Sequence, residues 1–167
     1  MPRPTALTDL GEFIVSFQAL ETHILEVIAE IAGGDKENSF ILASELEYNS
    51  RLRAADVMYS RFVAATTTTD DWATAKEFHE LIVKLQKLGE RRNDLVHSSY
   101  NLLVANGAFI GLGRRNHKLK PSRGIRQFDA EHILDETLND DLKQLTIASH
   151  RVEQIRSQIA STRRPSE

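Results

Sequence analysis

Apolar residues recur at three- and four-residue steps along most of this chain, and that period limits what it can fold into more than any other feature. Leu10, Phe13, Ile14, Phe17, Leu20, Ile24, Leu25, Ile28 and Ile31 form the first such stripe. Residues three and four apart share one face of a helix, so the spacing predicts a long amphipathic helix. Thr8 or Asp9 caps its start, with Glu12 placed three residues after Asp9 as in a capping box. Gly33-Gly34 ends it, because glycine tolerates the left-handed position that follows a helix. Asn38 or Ser39 caps a second helix reaching about residue 65, through Leu42, Leu46, Tyr48, Leu52, Ala55, Met58, Tyr59 and Phe62. It has no internal Pro or Gly, and its drifting stripe predicts a bend or burial on two sides. Asp70 or Asp71 caps a third helix through Trp72, Ala75, Phe78, Leu81, Ile82, Leu85, Leu88, Arg92, Leu95 and Val96. Asp129 caps the last, which carries Ile133, Leu134, Leu138, Leu142, Leu145, Val152, Ile155 and Ile159.

Between the third and last helices the pattern changes. Residues 100–104 and 108–112 are short apolar runs on either side of Asn106-Gly107. Asn-Gly in that position signals a tight β-hairpin. Residues 114–126 then read as a basic, turn-rich loop with Pro121 and Gly124. The expected architecture is mainly all-α: a four-helix bundle with a small β-hairpin and a basic loop inserted between helices 3 and 4. The whole chain of 167 residues reads as a single domain. Its core covers about residues 8–160, with flexible tails at 1–6 and 161–167.

Composition removes several kinds of chemistry. The chain has no cysteine, so it has no disulfide framework, no thiolate metal site and no cysteine nucleophile. No apolar run approaches the roughly 18 residues of a membrane span. The first ten residues hold one arginine and no apolar segment, so no signal peptide is expected and a cytoplasmic location is. Net charge is −3, so any contact with nucleic acid has to come from a local patch. Arg114, Arg115, Lys118, Lys120, Arg123 and Arg126 supply that patch, with no acid among residues 114–126. Six positive charges in a chain of net −3 leave the rest strongly acidic, the segregation expected of a binding footprint. His117 and Tyr100 add stacking surfaces for a single strand. The plain alternative is a mobile surface insertion.

The stretch Arg92-Asn93-Asp94-Leu95-Val96-His97 is the candidate site. Arg92 falls on the apolar stripe of the third helix, where a charge is costly unless it is paired or reaches water. Asn93 and His97 are four apart and share a face. Arg92 and His97 are five apart, hence about 140° apart around the axis. One straight helix does not close them on one ligand, whereas a second copy crossing at this point would. Two structural readings compete: Arg92 paired with an acid of the fourth helix, and His97 facing the negative end of the helix dipole. His79-Glu80 lacks the second histidine of a zinc-protease helix, and His132 with Asp135 or Glu136 has only helical spacing in favour of a metal pair. Neither metal nor cofactor is expected.

Arg92-Asn93-x-x-x-His97 near the end of a long helix resembles the Arg-x4–6-His motif of the HEPN superfamily, helical-bundle domains many of which are metal-independent ribonucleases. The resemblance implies an endoribonuclease, of the kind found as toxins or phage-defence effectors, with Arg92, Asn93 and His97 lining a cleft across a homodimer. The 2′-hydroxyl of RNA would attack, leaving a 2′,3′-cyclic phosphate and a 5′-hydroxyl. The chemistry suits the side chains: an imidazole moves protons near neutral pH and a guanidinium holds phosphate. The same resemblance implies RNA as ligand and leaves room for an antitoxin or regulatory protein as partner. A non-catalytic module for dimerisation, RNA binding or partner binding is the alternative. One subgroup carries Arg-x4-His-x-Tyr, with the Tyr adenylylated by its antitoxin. Here His97-Ser98-Ser99-Tyr100 is one residue longer, so modification of Tyr100 is not carried over.

Overall fold

The first stripe folds as its spacing requires, into a helix designated α1 (Thr5–Ala32) in the computed structural model, which describes residues 5–66, 72–120 and 124–163. Side chains of residues 5, 72, 118–120 and 125–127 lie outside that description. Helix α1 begins ahead of Thr8 and Asp9, so neither caps it. Gly33 and Gly34 end it with φ of 64° and 56°, and the Gly33 N–H reaches back to the Ala29 carbonyl. Phe13, Phe17, Leu20, Ile24 and Val27 are buried along its inner face.

The expected second helix is two helices, α2 (Lys36–Ser44) and α3 (Tyr48–Thr66). Asp35, rather than Asn38 or Ser39, caps α2 by accepting the Asn38 N–H at 3.0 Å. The break after Ser44 needs no Gly or Pro because a side chain stabilises it. The last carbonyls of a helix lack internal partners. Arg51, buried on α3, donates to the carbonyls of Ala43 (3.3 Å), Ser44 (3.3 Å) and Leu46 (3.0 Å). Leu42 is 72% exposed and Leu46 is exposed, so neither faces the core, whereas Leu52, Ala55, Tyr59 and Val63 do.

The third stripe forms α4 (Trp72–Val96), with Ala75, Phe78, Leu81, Ile82, Leu85, Leu88 and Leu95 buried as expected. The proposed caps Asp70 and Asp71 lie outside the described residues, as does the Trp72 side chain. Gly89 lets α4 approach α3. A Cβ there would lie 2.5 Å from Cε1 of Tyr48. That ring cannot readily move, since its hydroxyl donates to the Leu85 carbonyl at 3.0 Å and it packs on Phe17 at 5.2 Å. Gly89→Ala would gain about 1 kcal/mol of helix propensity. Overpacking costs about 1–3 kcal/mol and outweighs that gain. A lower urea midpoint is therefore expected, and an unchanged or higher one would contradict the packing described.

Three antiparallel strands follow: β1 (Ser99–Ala105), β2 (Ala108–Lys120) and β3 (Ile125–Leu134), in the order β1-β2-β3. Asn106 and Gly107 turn the first hairpin with φ of 51° and 77°, the mirror-image turn that Asn-Gly favours. Two expectations are corrected here. Most of the basic segment is strand and not loop, because β2 runs on to Lys120 and pairs with β3 from Ile125. Nor does Asp129 cap the last helix: α5 (Asn139–Thr162) starts ten residues later, and Asp129, Ile133 and Leu134 belong to β3. The period of two explains both. Leu112, Arg114 and Asn116 face Ile133, Glu131 and Asp129 across the ladder, so apolar and charged positions on each strand match. Arg123 and Pro121 lie outside the described residues.

The fold is thus mainly helical with a small antiparallel sheet, and has five helices among the described residues where four were expected. Helix α1 packs against α2, α3 and α5, while α4 packs chiefly on α3. Among the described residues no helix is long and apolar enough to cross a membrane.

Candidate functional site

The hexapeptide occupies the last turn of α4 and the residue beyond it, where the His97 N–H still bonds the Asn93 carbonyl at 3.0 Å. Leu95 anchors the turn in the core. Its polar residues go in two directions. Arg91, which the sequence reading passed over, points at the sheet and α5. It forks onto both carboxylate oxygens of Glu131 at 2.8 Å and donates through Nε to Asp141 of α5 at 2.9 Å. The acid of the last helix therefore pairs with Arg91 and not with Arg92.

Arg114 joins the same network from β2. Its Nε donates to Glu131 at 2.8 Å and its Nη2 to Asp129 at 2.8 Å. Its Nη1 donates to the Asp94 carbonyl and to the Ser98 hydroxyl. The Arg114 side chain is 3% exposed, so its donors serve the junction of α4, β2 and β3, not the surface. Tyr100 lies on the same inner face: its hydroxyl donates to the Leu95 carbonyl at 2.6 Å, and burial pushes its phenol up, which keeps it a donor. Its hydroxyl is thus committed within the fold.

The Glu131 carboxyl is held below its usual 4.5, first by the hydrogen bonds from Arg91, while burial opposes them. A folded-state value below the unfolded one gives stability that is present above the unfolded value, about 4.3, and lost as pH falls through the folded value. The thermal midpoint should therefore fall as the pH drops below that unfolded value. Glu131→Gln should flatten that fall, and an equally steep profile in this variant would assign the acid sensitivity elsewhere.

Asn93 and His97 face solvent, and Arg92 is half-buried beside them. The Arg92 guanidinium lies 5.8 Å over the Phe17 ring of α1 and donates to Asn93 Oδ1 at 3.1 Å. Asn93 and His97 are exposed. Among the described residues Arg92 and His97 have no ion pair. The structure brings Arg92 and Asn93 together on one chain and records no contact between Arg92 and His97. Of the basic set, Arg115 is exposed on β2, while Lys118, Lys120 and Arg126 hold strand positions whose side chains are outside the description.

The chain matches no family model, no curated protein and no solved structure. Function then has to be argued from the site itself. One other cluster deserves comparison: a ligand atom each from His23, Glu26 and Glu153 lie within 4.8 Å of one another, a spacing that a metal ion could bridge. Arg156 already engages it, with two hydrogen bonds to Glu153 at 2.6 and 2.9 Å and an ion pair to Glu26 at 3.6 Å. That guanidinium already offsets one of the two carboxylate charges without an ion. The signal that could have revealed the Arg91–Glu131–Arg114 network was the alternation Leu112-x-Arg114-x-Asn116 against Asp129-x-Glu131-x-Ile133.

Proposed function

We propose that this chain is a metal-independent endoribonuclease that works as a homodimer, with the α4 ends of two copies crossing so that Arg92 of one and His97 of the other line one cleft. The observation that carries the reading is the division of labour in the last turn of α4. Arg91 and Arg114 are taken up by acids, whereas half-buried Arg92 and exposed His97 have no ion pair among the described residues. A guanidinium in that state is available to a phosphate, and an exposed imidazole is available to a 2′-hydroxyl or a leaving oxygen. Asn93 accepts from Arg92 and so orients the fork. The separation of about 140° between Arg92 and His97 on one axis is the reason for the second copy.

The test is incubation of the purified protein with total RNA in EDTA, beside the His97→Ala variant. Cleavage by wild type alone, with cyclic-phosphate ends, is the expected result. Cleavage by both proteins removes His97 from the mechanism. RNA binding without cleavage by either leaves a binding module.

A further inference from the structure

The strand alternation of the sheet sorts charge by face. In β3 the acids Asp129 and Glu131 both turn inward, where they bond Arg114 and Arg91. They are the acids of the three strands, since β1 and β2 contain none. The outer face is therefore left without an acid among the described side chains. It presents Arg115, His117, Phe128 and His132, all exposed, with Ser99 and Asn101 at the β1 side. Phe128 is 57% exposed, and its ring sits 5.3 Å from that of His117 directly across the ladder. A large aromatic side chain kept in water beside a second ring and an arginine is costly to leave uncovered, and Arg126 holds the β3 position two before Phe128.

We propose that this outer face is a stacking platform for single-stranded RNA, with bases lying on Phe128 and His117 and the phosphate backbone on Arg115. Charge complementarity selects the occupant: a cationic, acid-free face on a chain of net charge −3 suits a polyanion whose bases offer flat π surfaces. The platform begins beside the proposed catalytic turn, because Ser99, two residues after His97, is paired in register with Arg115. This inference extends the ribonuclease reading and rests on it for the choice of RNA, but its surface is separate from Arg92 and His97.

Fluorescence anisotropy with a labelled twelve-nucleotide RNA at 50 and 200 mM salt tests it, using the His97→Ala protein as background so that the probe stays intact. Stacking is worth about 1–3 kcal/mol per base, so Phe128→Ala should weaken binding roughly five- to 150-fold. Phe128→Tyr should restore it. Arg115→Ala should weaken binding and lower the salt slope by about 0.7, the share of one phosphate on a single strand. Equal affinity for the matching DNA strand would support the platform and show that it reads bases and phosphate without the 2′-hydroxyl. The proposal is overturned if no oligonucleotide binds at the lower salt, or if Phe128→Ala binds as wild type does. It is also overturned if that variant loses self-association in place of RNA affinity, which would make the face an interface between copies. Cleavage with unaltered binding by Phe128→Ala would sink the platform and leave the nuclease. Binding that needs Phe128, with no cleavage by wild type, would do the reverse.

Discussion

Replacing His97 with alanine should lower RNA cleavage by about 10²- to 10⁴-fold, the contribution typical of a positioned general acid or base. The same change should leave the fold intact. His97 is exposed, no side-chain hydrogen bond ties it among the described residues, and the helix ends at Val96 just before it. Substitutions at such positions usually stay within about 0.5 kcal/mol. Activity and stability are thus expected to separate cleanly, which a core histidine would not allow. Arg92→Lys sharpens the test, because lysine keeps the charge and loses the planar fork that grips phosphate. A fluorogenic RNA assay in EDTA, run beside thermal denaturation, reads both quantities. Loss of activity accompanied by an equal loss of folded protein would return His97 to a structural role.

Glu131→Ala should destabilise the protein by about 3–5 kcal/mol. Glu131 is where two arginines meet, and Arg114 has almost no access to water. Removing the carboxylate leaves both guanidiniums facing one another with Asp129 and Asp141 as the remaining acids. An uncompensated buried charge costs more than the pair itself contributed. At about 2–4 °C per kcal/mol for a chain of this size, the thermal midpoint should drop by roughly 6–20 °C. Asp129→Ala should do much less, because that carboxylate is 41% exposed and water can replace part of its bond. Urea denaturation of the two variants gives the comparison, and a loss below about 1 kcal/mol for Glu131→Ala would mean that solvent already serves the junction.

The sequence made the long regular pieces legible and hid the places where tertiary contacts decide. The stripe from Leu10 to Ile31 was enough for α1, and Asn106-Gly107 was enough for the first hairpin, because both signals are local. The break between α2 and α3 was not visible. It depends on Arg51 reaching back to three carbonyls, and an arginine in a helical pattern carries no mark of such a task. The extension of β2 and β3 was hidden by composition. Lysines, arginines, a Pro and a Gly read as a loop, while the alternation that makes a strand needed its partner to be recognised. Asp129 and Ile133 fitted a helix start equally well in isolation. At the candidate site, the position of Arg92 and His97 at the end of α4 was legible. Which of two adjacent arginines would meet the acids was not, since Arg91 and Arg92 differ only by 100° of rotation.

The sheet is open, and β1 is at one edge of it. Leu102 and Val104 are exposed on this strand, the profile of a surface that recruits strands from other molecules. Between Leu103 and Val104 the register slips, leaving Ile110 of β2 without an opposite residue. Such a bulge twists an edge away from flat pairing. The extra residue of β2 thereby works against flat, fibril-like pairing of copies along the β1 edge, where apolar side chains are exposed.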